Sequence, residues 1–261
     1  MALWSPAHWR VIPGSPIERL PKPLRPMAIL ARNHMIKRRY VLVADDFATA
    51  HYCPFMDDEK FDELYWDMQR SWYPGADVRW RMWLLTMLAQ SCQQLPGNFA
   101  EFGTWRGGCA YMILSRTSVE PSHRFFLFDT FTGIPPDRLT ERERKEGFAD
   151  RHKDTSLEYV DDLLARWHPR YVLCPGNIFE TLGAVDVGML SFAHIDLNAA
   201  APTRVALEFA YKRMVSGGVI VFDDYGQADY EEQRVTVDEF FRELPETLVA
   251  VPTSQAFVIK R

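Results

Sequence analysis

From Asp57 onward the chain shows two alternating periods of apolar and polar positions. Phe61, Leu64, Tyr65, Met68 and Trp72 recur at helical spacing, and a second helix is predicted from about Val78 through Met82, Leu85 and Ala89, stopped by Pro96-Gly97. After that stop, short apolar runs of strand length alternate with helical segments. Strands are predicted at Phe99–Gly103, Arg124–Asp129, Tyr171–Cys174, Leu190–Asp196 and Val219–Phe222. Helices are predicted at Gly108–Arg116, Asp154–Trp167, Thr203–Met214 and Glu231–Arg242, with Ser216-Gly217-Gly218 ending the third. Phe125 to Phe128 are apolar without a break, as in a strand buried on both faces. Strand–helix alternation makes a parallel, doubly wound α/β sheet with right-handed crossovers. Two short strands, Leu248–Val251 and Ala256–Ile259, add a C-terminal antiparallel hairpin.

The first 26 residues hold six of the seventeen prolines, which excludes regular helix there and predicts an extended arm. The division expected is a Pro-rich basic arm over 1–56 and one catalytic-sized domain over 57–261. Charge sharpens that division: the net charge is −5, but residues 1–44 carry +7 and the remainder −12. A basic arm on an acidic body fits contact with a second copy of the chain, so a homodimer joined through the arm is expected. A polyanion is the other partner such an arm would suit, but the acidic body and the lack of an RNA-reading motif disfavour nucleic acid. No run of eighteen apolar residues and no secretory h-region appears, so no membrane partner and a cytoplasmic location are expected. Cys53, Cys92, Cys109 and Cys174 are scattered without metal-ligand spacing and read as reduced, buried thiols.

Two strand ends carry the candidate chemistry. The first is Glu101-Phe102-Gly103-Thr104-Trp105-Arg106-Gly107-Gly108, a strand running into a glycine-bearing turn and a helix. Such a turn lets backbone approach a ligand and presents helix N–H groups. Its spacing fails the G-x-G-x-x-G pattern of a dinucleotide fold, which speaks against a nicotinamide oxidoreductase. Asp129, ending the next strand, is placed to accept from two ribose hydroxyls; a turn or capping role is its alternative. The second end is Val219-Ile220-Val221-Phe222-Asp223-Asp224-Tyr225-Gly226. If its strand neighbours the one ending at Asp196, three carboxylates converge, and clustered carboxylates repel unless protonated or neutralised. An oxygen-only set favours magnesium, calcium or manganese over zinc. His194 lies on the same side of its strand as Asp196 and is either a partner to the ligands or a buried, satisfied histidine.

Taken in order, Glu101–Gly108, Phe128-Asp129-Thr130-Phe131-Thr132-Gly133-Ile134-Pro135, Gly176-Asn177-Ile178-Phe179-Glu180-Thr181-Leu182 and Asp223-Asp224-Tyr225-Gly226 resemble the motifs of the macrocin O-methyltransferase family. The similarity runs from about Arg79 to Leu244. The resemblance implies the class I methyltransferase fold and transfer of a methyl group from S-adenosylmethionine to a sugar or glycoside hydroxyl, with Mg2+. It implies that Glu101 and Gly103, with Thr104, Trp105 and Gly107 in the same turn, lie along the methionyl part of the cofactor. Asp129 and Thr130 then fall at the ribose, and the turn Cys174–Asn177, with Gly176 and Asn177, borders the adenine. Asp196 falls at the meeting of cofactor and metal, which Asp196, Asp223 and Asp224 would hold.

One departure from the family pattern is plain. Where the family often shows Asp-Gly-Asp and a following tyrosine, this chain reads Asp196-Leu197-Asn198-Ala199. Asp196 is retained, but Asn198 replaces the second carboxylate. Asp196, both ligand and possible proton acceptor, is the first candidate for the base. A polar stretch from Asp137 to Asp154 beside the crevice has the placing of a lid, and His152 is its candidate acid or base; a solvated surface loop is the plainer alternative. A catechol-like phenol presents a similar pair of oxygens to a metal and is the alternative acceptor.

Overall fold

The elements of the computed structural model follow from the patterning, with residues 20–24, 27, 28, 31, 42–45, 47–71, 77–118 and 123–261 described. A hairpin of β1 (Leu42–Ala44) and β2 (Phe47–Thr49) precedes α1 (Glu59–Ser71) and α2 (Arg79–Cys92). The sheet and its crossovers follow in chain order: β3 (Asn98–Phe102), α3 (Gly108–Arg116), β4 (Phe125–Asp129), α4 (Glu141–Lys145), α5 (Leu157–Leu164) and β5 (Tyr171–Pro175). Then come α6 (Ile178–Ala184), β6 (Leu190–Ile195), α7 (Ala200–Arg213), β7 (Met214–Phe222), α8 (Glu231–Phe241), β8 (Val249–Ala250) and β9 (Ala256–Ile259).

Seven strands lie in the order β5-β4-β3-β6-β7-β9-β8, parallel from β5 to β7 and antiparallel where β9 meets β7 and β8. Strand order reverses between β3 and β6, the place where an open α/β sheet leaves a crevice at its carboxyl ends. Side chains alternate across the sheet and divide the core into two halves. Phe99, Phe125, Leu127, Phe192, Val219 and Val221 face α1, α2 and α3, whereas Ala100, Phe102, Phe128, Ile195, Ile220 and Phe222 face α7 and α8. The α1 stripe of Phe61, Tyr65 and Met68 is fully buried, each side chain contributing about 1.5–3 kcal/mol by leaving water. Trp72, predicted on the same stripe, lies outside the described residues. Leu42, Ala44, Cys53 and Phe55 join this half of the core.

Three segments differ from expectation, each for a local reason. The helix predicted from Asp154 begins at Leu157, because Ser156 takes an extended backbone and its hydroxyl accepts from Tyr159 N at 3.1 Å, capping the helix. Helix α6 is an addition, capped by Asn177 and buried through Ile178 and Leu182. Ser216-Gly217-Gly218 do not break the chain but run inside β7, where a Cβ on Gly218 would sit 2.8 Å from Ser191 O. All four cysteines are free and buried.

Candidate active site

Register brings the first group of polar residues together. Glu101 of β3 pairs with His194 of β6, which pairs with Val221 of β7, so Asp223 follows on the same face. His194 is wholly buried, with Nδ1 at 2.9 Å from Glu101 Oε1 and Nε2 at 3.4 Å from Asp223 Oδ1. With Glu101 and Asp223 ionised, both neighbours are acceptors and call for the doubly protonated ring. Burial alone would drive the ring neutral, but hydrogen bonds and charge from Asp223 and Glu101 hold its pKa up to about 10. Glu101 itself is raised by burial, against the lowering effect of His194.

The glycine turn is built around the end of β6. Gly103 has φ +93°, and a Cβ there would lie 1.9 Å from Asp196 O, so no side chain fits. Asp129 clasps the turn, accepting at Oδ2 from Thr104 N (2.8 Å) and Trp105 N (2.7 Å) and at Oδ1 from Phe131 N (2.7 Å). The capping alternative read from sequence is thus part of what Asp129 does; its oxygens retain lone pairs for hydroxyls. Gly107, in the left-handed region at φ +76°, starts α3 against Val160 and Leu163. The Thr130 hydroxyl donates to Gly133 O at 2.6 Å and shapes the next turn. Gly176 N donates to Asp129 O at 2.8 Å, bringing the β5 turn with Asn177 alongside. Glu101 and Thr104 are both buried at the turn, where the Thr104 side chain joins His194 in opposing the upward pull of burial on Glu101.

At the other side of the crevice the carboxylates converge with a cation that sequence reading missed. Ligand-capable atoms of His194, Asp196 and Asp223 lie within 4.8 Å of one another. Arg81 of α2 reaches over the sheet end: Nη1 donates to Asp223 Oδ2 at 2.5 Å and Asp224 Oδ1 at 3.1 Å, and Nη2 donates to Ser254 Oγ at 2.6 Å. Gln255 Nε2 donates to Asp223 Oδ1 at 2.8 Å. Asn198 Nδ2 donates to Asp224 Oδ2 at 2.5 Å and to Asp196 Oδ1 at 3.2 Å, so it spaces two carboxylates. The electrostatics follow from these neighbours. Burial would raise Asp223, but Arg81, His194 and Gln255 hold it well below the usual carboxylate range. Asp224 is pushed up to about 6 by burial, against Arg81. Asp196 is raised well above its ordinary value by burial and by the charges of Asp223 and Asp224.

The polar stretch predicted as a lid is a folded cover. Thr140 and Glu143 form a capping box on α4, and the buried Glu143 also accepts from Ala200 N at 2.7 Å, capping α7 from outside. Leu139, Phe148 and Ala199 form a small apolar cluster beneath it, packed against Tyr230. Arg151 Nη1 donates to Tyr230 Oη at 3.1 Å, and burial, with the charges of Asp224 and Asp196, raises the Tyr230 phenol. Tyr230 thus approaches the carboxylates from a segment where no motif announced it. His152 lies edge-on to Trp105 of the glycine turn at 5.3 Å, its buried Nε2 without a hydrogen-bond partner among the described residues and its pKa lowered by burial. Tyr225 donates to Asp238 Oδ1 at 2.6 Å and packs on the α7–α8 half of the core.

A switch-point crevice, a glycine turn clasped by a strand-end aspartate and a parallel sheet finished by an antiparallel pair define the class I methyltransferase fold. The family model described as macrocin-O-methyltransferase (TylF) matches residues 79–257, and the chain belongs to that family. An 8-demethyl-8-(2,3-dimethoxy-alpha-L-rhamnosyl)-tetracenomycin-C 4'-O-methyltransferase of Streptomyces olivaceus is 26% identical over 144 residues, 50% of this chain and 54% of that protein. The chain therefore matches about half the length of that curated relative. Among solved structures, the O-methyltransferase NovP superposes with a TM-score of 0.67 at 19% identity, covering 79% of this chain and 98% of NovP. CalS11, a calicheamicin methyltransferase, gives a TM-score of 0.60 at 18% identity over 85% of this chain and 95% of its own. Among the described residues no helix is long and apolar enough to cross a membrane.

Proposed function

We propose that this chain transfers a methyl group from S-adenosylmethionine to a hydroxyl of a sugar or glycoside, with Mg2+ held by Asp196, Asp223 and Asp224. The observation that carries the reading is the joining of two half-sites: Glu101 at the glycine turn and Asp223 in the carboxylate set meet on the two sides of one buried imidazole. Family membership and the rhamnosyl acceptor in the name of the Streptomyces olivaceus relative support the sugar. The donor set suits the ion, being three carboxylates with an amide oxygen available if Asn198 turns over. When bound, S-adenosylmethionine supplies an activated sulfonium methyl and Mg2+ a Lewis acid that orients and acidifies the acceptor hydroxyl.

The chain's own residues supply position. Gly103 lets the turn close on the end of β6 beside the methionyl part, Asp129 holds the ribose while fixing Thr104 and Trp105, and the Gly176-Asn177 turn closes on the adenine. Thr130 and Gly107 set the shape of the adjoining turns. In-line placement of the reacting atoms then accounts for most of the rate, since the methyl is already activated. Asp196 is the group to take the proton, because the amide of Asn198 cannot. His152, neutral and unspent at Nε2 on the cofactor side, is the second proton acceptor and enters through the cover. Four unpaired, buried cysteines suit a reducing compartment such as the cytoplasm. The charge asymmetry between arm and body supports a homodimer.

Calorimetric titration with S-adenosylhomocysteine, with and without Mg2+, tests the reading on the wild type and Asp129→Ala. Micromolar binding that is lost in the variant supports it; absence of binding to the folded wild type refutes it.

A further inference from the structure

We infer that Arg81 is an exchangeable counter-cation, holding Asp223 and Asp224 together until a divalent cation enters and then giving up both to it. The inference rests on the metal-assisted reading above. Its basis is the division of labour within one guanidinium. Both bonds to the aspartates come from Nη1, at 2.5 and 3.1 Å. Nη2 is anchored independently, on Ser254 Oγ at 2.6 Å and Thr253 O at 3.4 Å. Because the guanidinium is a rigid plane, Nη1 can let go only by a turn of the whole group, for which the Nη2 anchor is the pivot.

The third nitrogen shows where the side chain would turn. Arg81 Nε is buried without a hydrogen-bond partner among the described residues, and it lies 4.0 Å from Asp45 Oδ1. Asp45 is itself fixed, accepting from Trp80 N at 3.0 Å and Arg81 N at 3.4 Å at the start of α2. A small rotation that withdraws Nη1 from the aspartates brings Nε–H toward this waiting carboxylate. The charges favour exchange over coexistence. Two adjacent aspartates without a cation repel, so the ion-free site needs Arg81. A divalent ion on the same two carboxylates sits next to the guanidinium in a buried setting, where like charges repel strongly.

Mn2+ is the probe, as a paramagnetic ion of the same ligand preference. Its binding to the full-length wild type, Arg81→Gln and Arg81→Lys is measured by calorimetry and by loss of the free-ion electron spin resonance signal. Arg81→Gln should bind Mn2+ at least about tenfold tighter, equal to ~1.4 kcal/mol. Arg81→Lys, a charge without the guanidinium fork, should fall between. Binding by Arg81→Gln alone is the limiting case of the same expectation. Equal or weaker binding by a folded Arg81→Gln overturns exchange and leaves the metal reading standing, whereas no binding by any of the three proteins overturns the metal reading and exchange together. A readout on the unaltered chain stands beside these. In nitrogen-15 spectra of arginine side chains, the Arg81 signals should shift and sharpen with Mg2+ at the calorimetric midpoint; Mg2+ binding that leaves them unmoved overturns exchange even if the variants fail to fold.

Discussion

Replacing Glu143 by alanine should free the cover over residues 134–154 while the sheet stays folded. The magnitude follows from what this one carboxylate does. It accepts from Thr140 N at 2.8 Å within α4 and from Ala200 N at 2.7 Å at the start of α7, whose own N-cap, Ala199, offers no side-chain acceptor. A hydrogen bond to a charged group contributes about 1.5–3 kcal/mol, and loss of a cap costs about 1 kcal/mol. Glu143→Ala should therefore cost the cover ~2.5–4 kcal/mol of docking free energy. The cover's other ties, among them the Arg151–Tyr230 hydrogen bond at 3.1 Å, run toward α8 and leave the start of α7 uncapped. The Arg142–Glu231 pair is about half exposed on both sides, which limits it to ~1 kcal/mol or less. Thr140 Oγ1 donates to Glu232 Oε2 at 2.5 Å, and the apolar cluster beneath is three residues. Glu143→Gln keeps one acceptor oxygen and should lose about half as much. Hydrogen exchange read by mass spectrometry checks this: amides of 136–154 should exchange roughly a hundredfold faster in Glu143→Ala and by an intermediate factor in Glu143→Gln, with β3 and β6 still protected. Unchanged exchange of the cover in Glu143→Ala would show that its remaining contacts suffice to hold it and refute the latch.

Two further outcomes follow from charge. Asp45 is pushed up to about 7 by burial, with Arg81 opposing, so its unfolded carboxyl ionises near pH 4 and its folded one only near pH 7. Ionising it is costly to the fold, so wild-type stability should fall as pH rises across that window, and Asp45→Asn, which still caps α2, should gain on the wild type by a few kcal/mol or less; a difference in denaturation midpoint that is flat with pH would exclude this. If the basic arm joins two copies, light scattering should give twice the chain mass at low salt and a falling mass as salt screens the contact, whereas a monomer at low salt would dismiss the dimer.

The fold was legible where the physics is local. Strand and helix alternate in sequence because burial on both faces of β4 leaves Phe125–Phe128 without a polar position, and because α3 shows its apolar period between Gly107 and Thr117. The C-terminal antiparallel pair was legible for the same reason. The misjudged places are those where a distant partner overrides a local sign. Gly217 and Gly218 look like a helix stop, yet they are strand residues, since Gly217 N donates to Lys260 O and Lys260 N to Gly218 O, both at 2.8 Å. Helix α6 was passed over although Asn177, Ile178 and Leu182 carry a cap and an i, i+4 apolar pair.

The candidate site divides along the same line. Glu101, His194 and Asp223 were recoverable in principle, because strand alternation and a parallel register decide which side chains share a face. Arg81 was not, since it meets Asp223 across 142 positions and its aim depends on how α2 is rotated over the sheet, which no period along the chain records. Glu143 is hidden likewise, its partner on α7 lying 57 positions away. Asn198 shows what this costs a motif-based reading. From sequence it is a lost carboxylate, hence a lost base; in the structure its amide nitrogen lies between Asp196 and Asp224, two groups that burial and mutual repulsion already raise. An aspartate in that place would add a further buried negative charge to a set that, among the described residues, Arg81 and His194 balance. Under the proposed function, Asn198 therefore lowers the charge that a cation must offset and leaves Asp196 and His152, on opposite walls of the crevice, as the candidate proton acceptors.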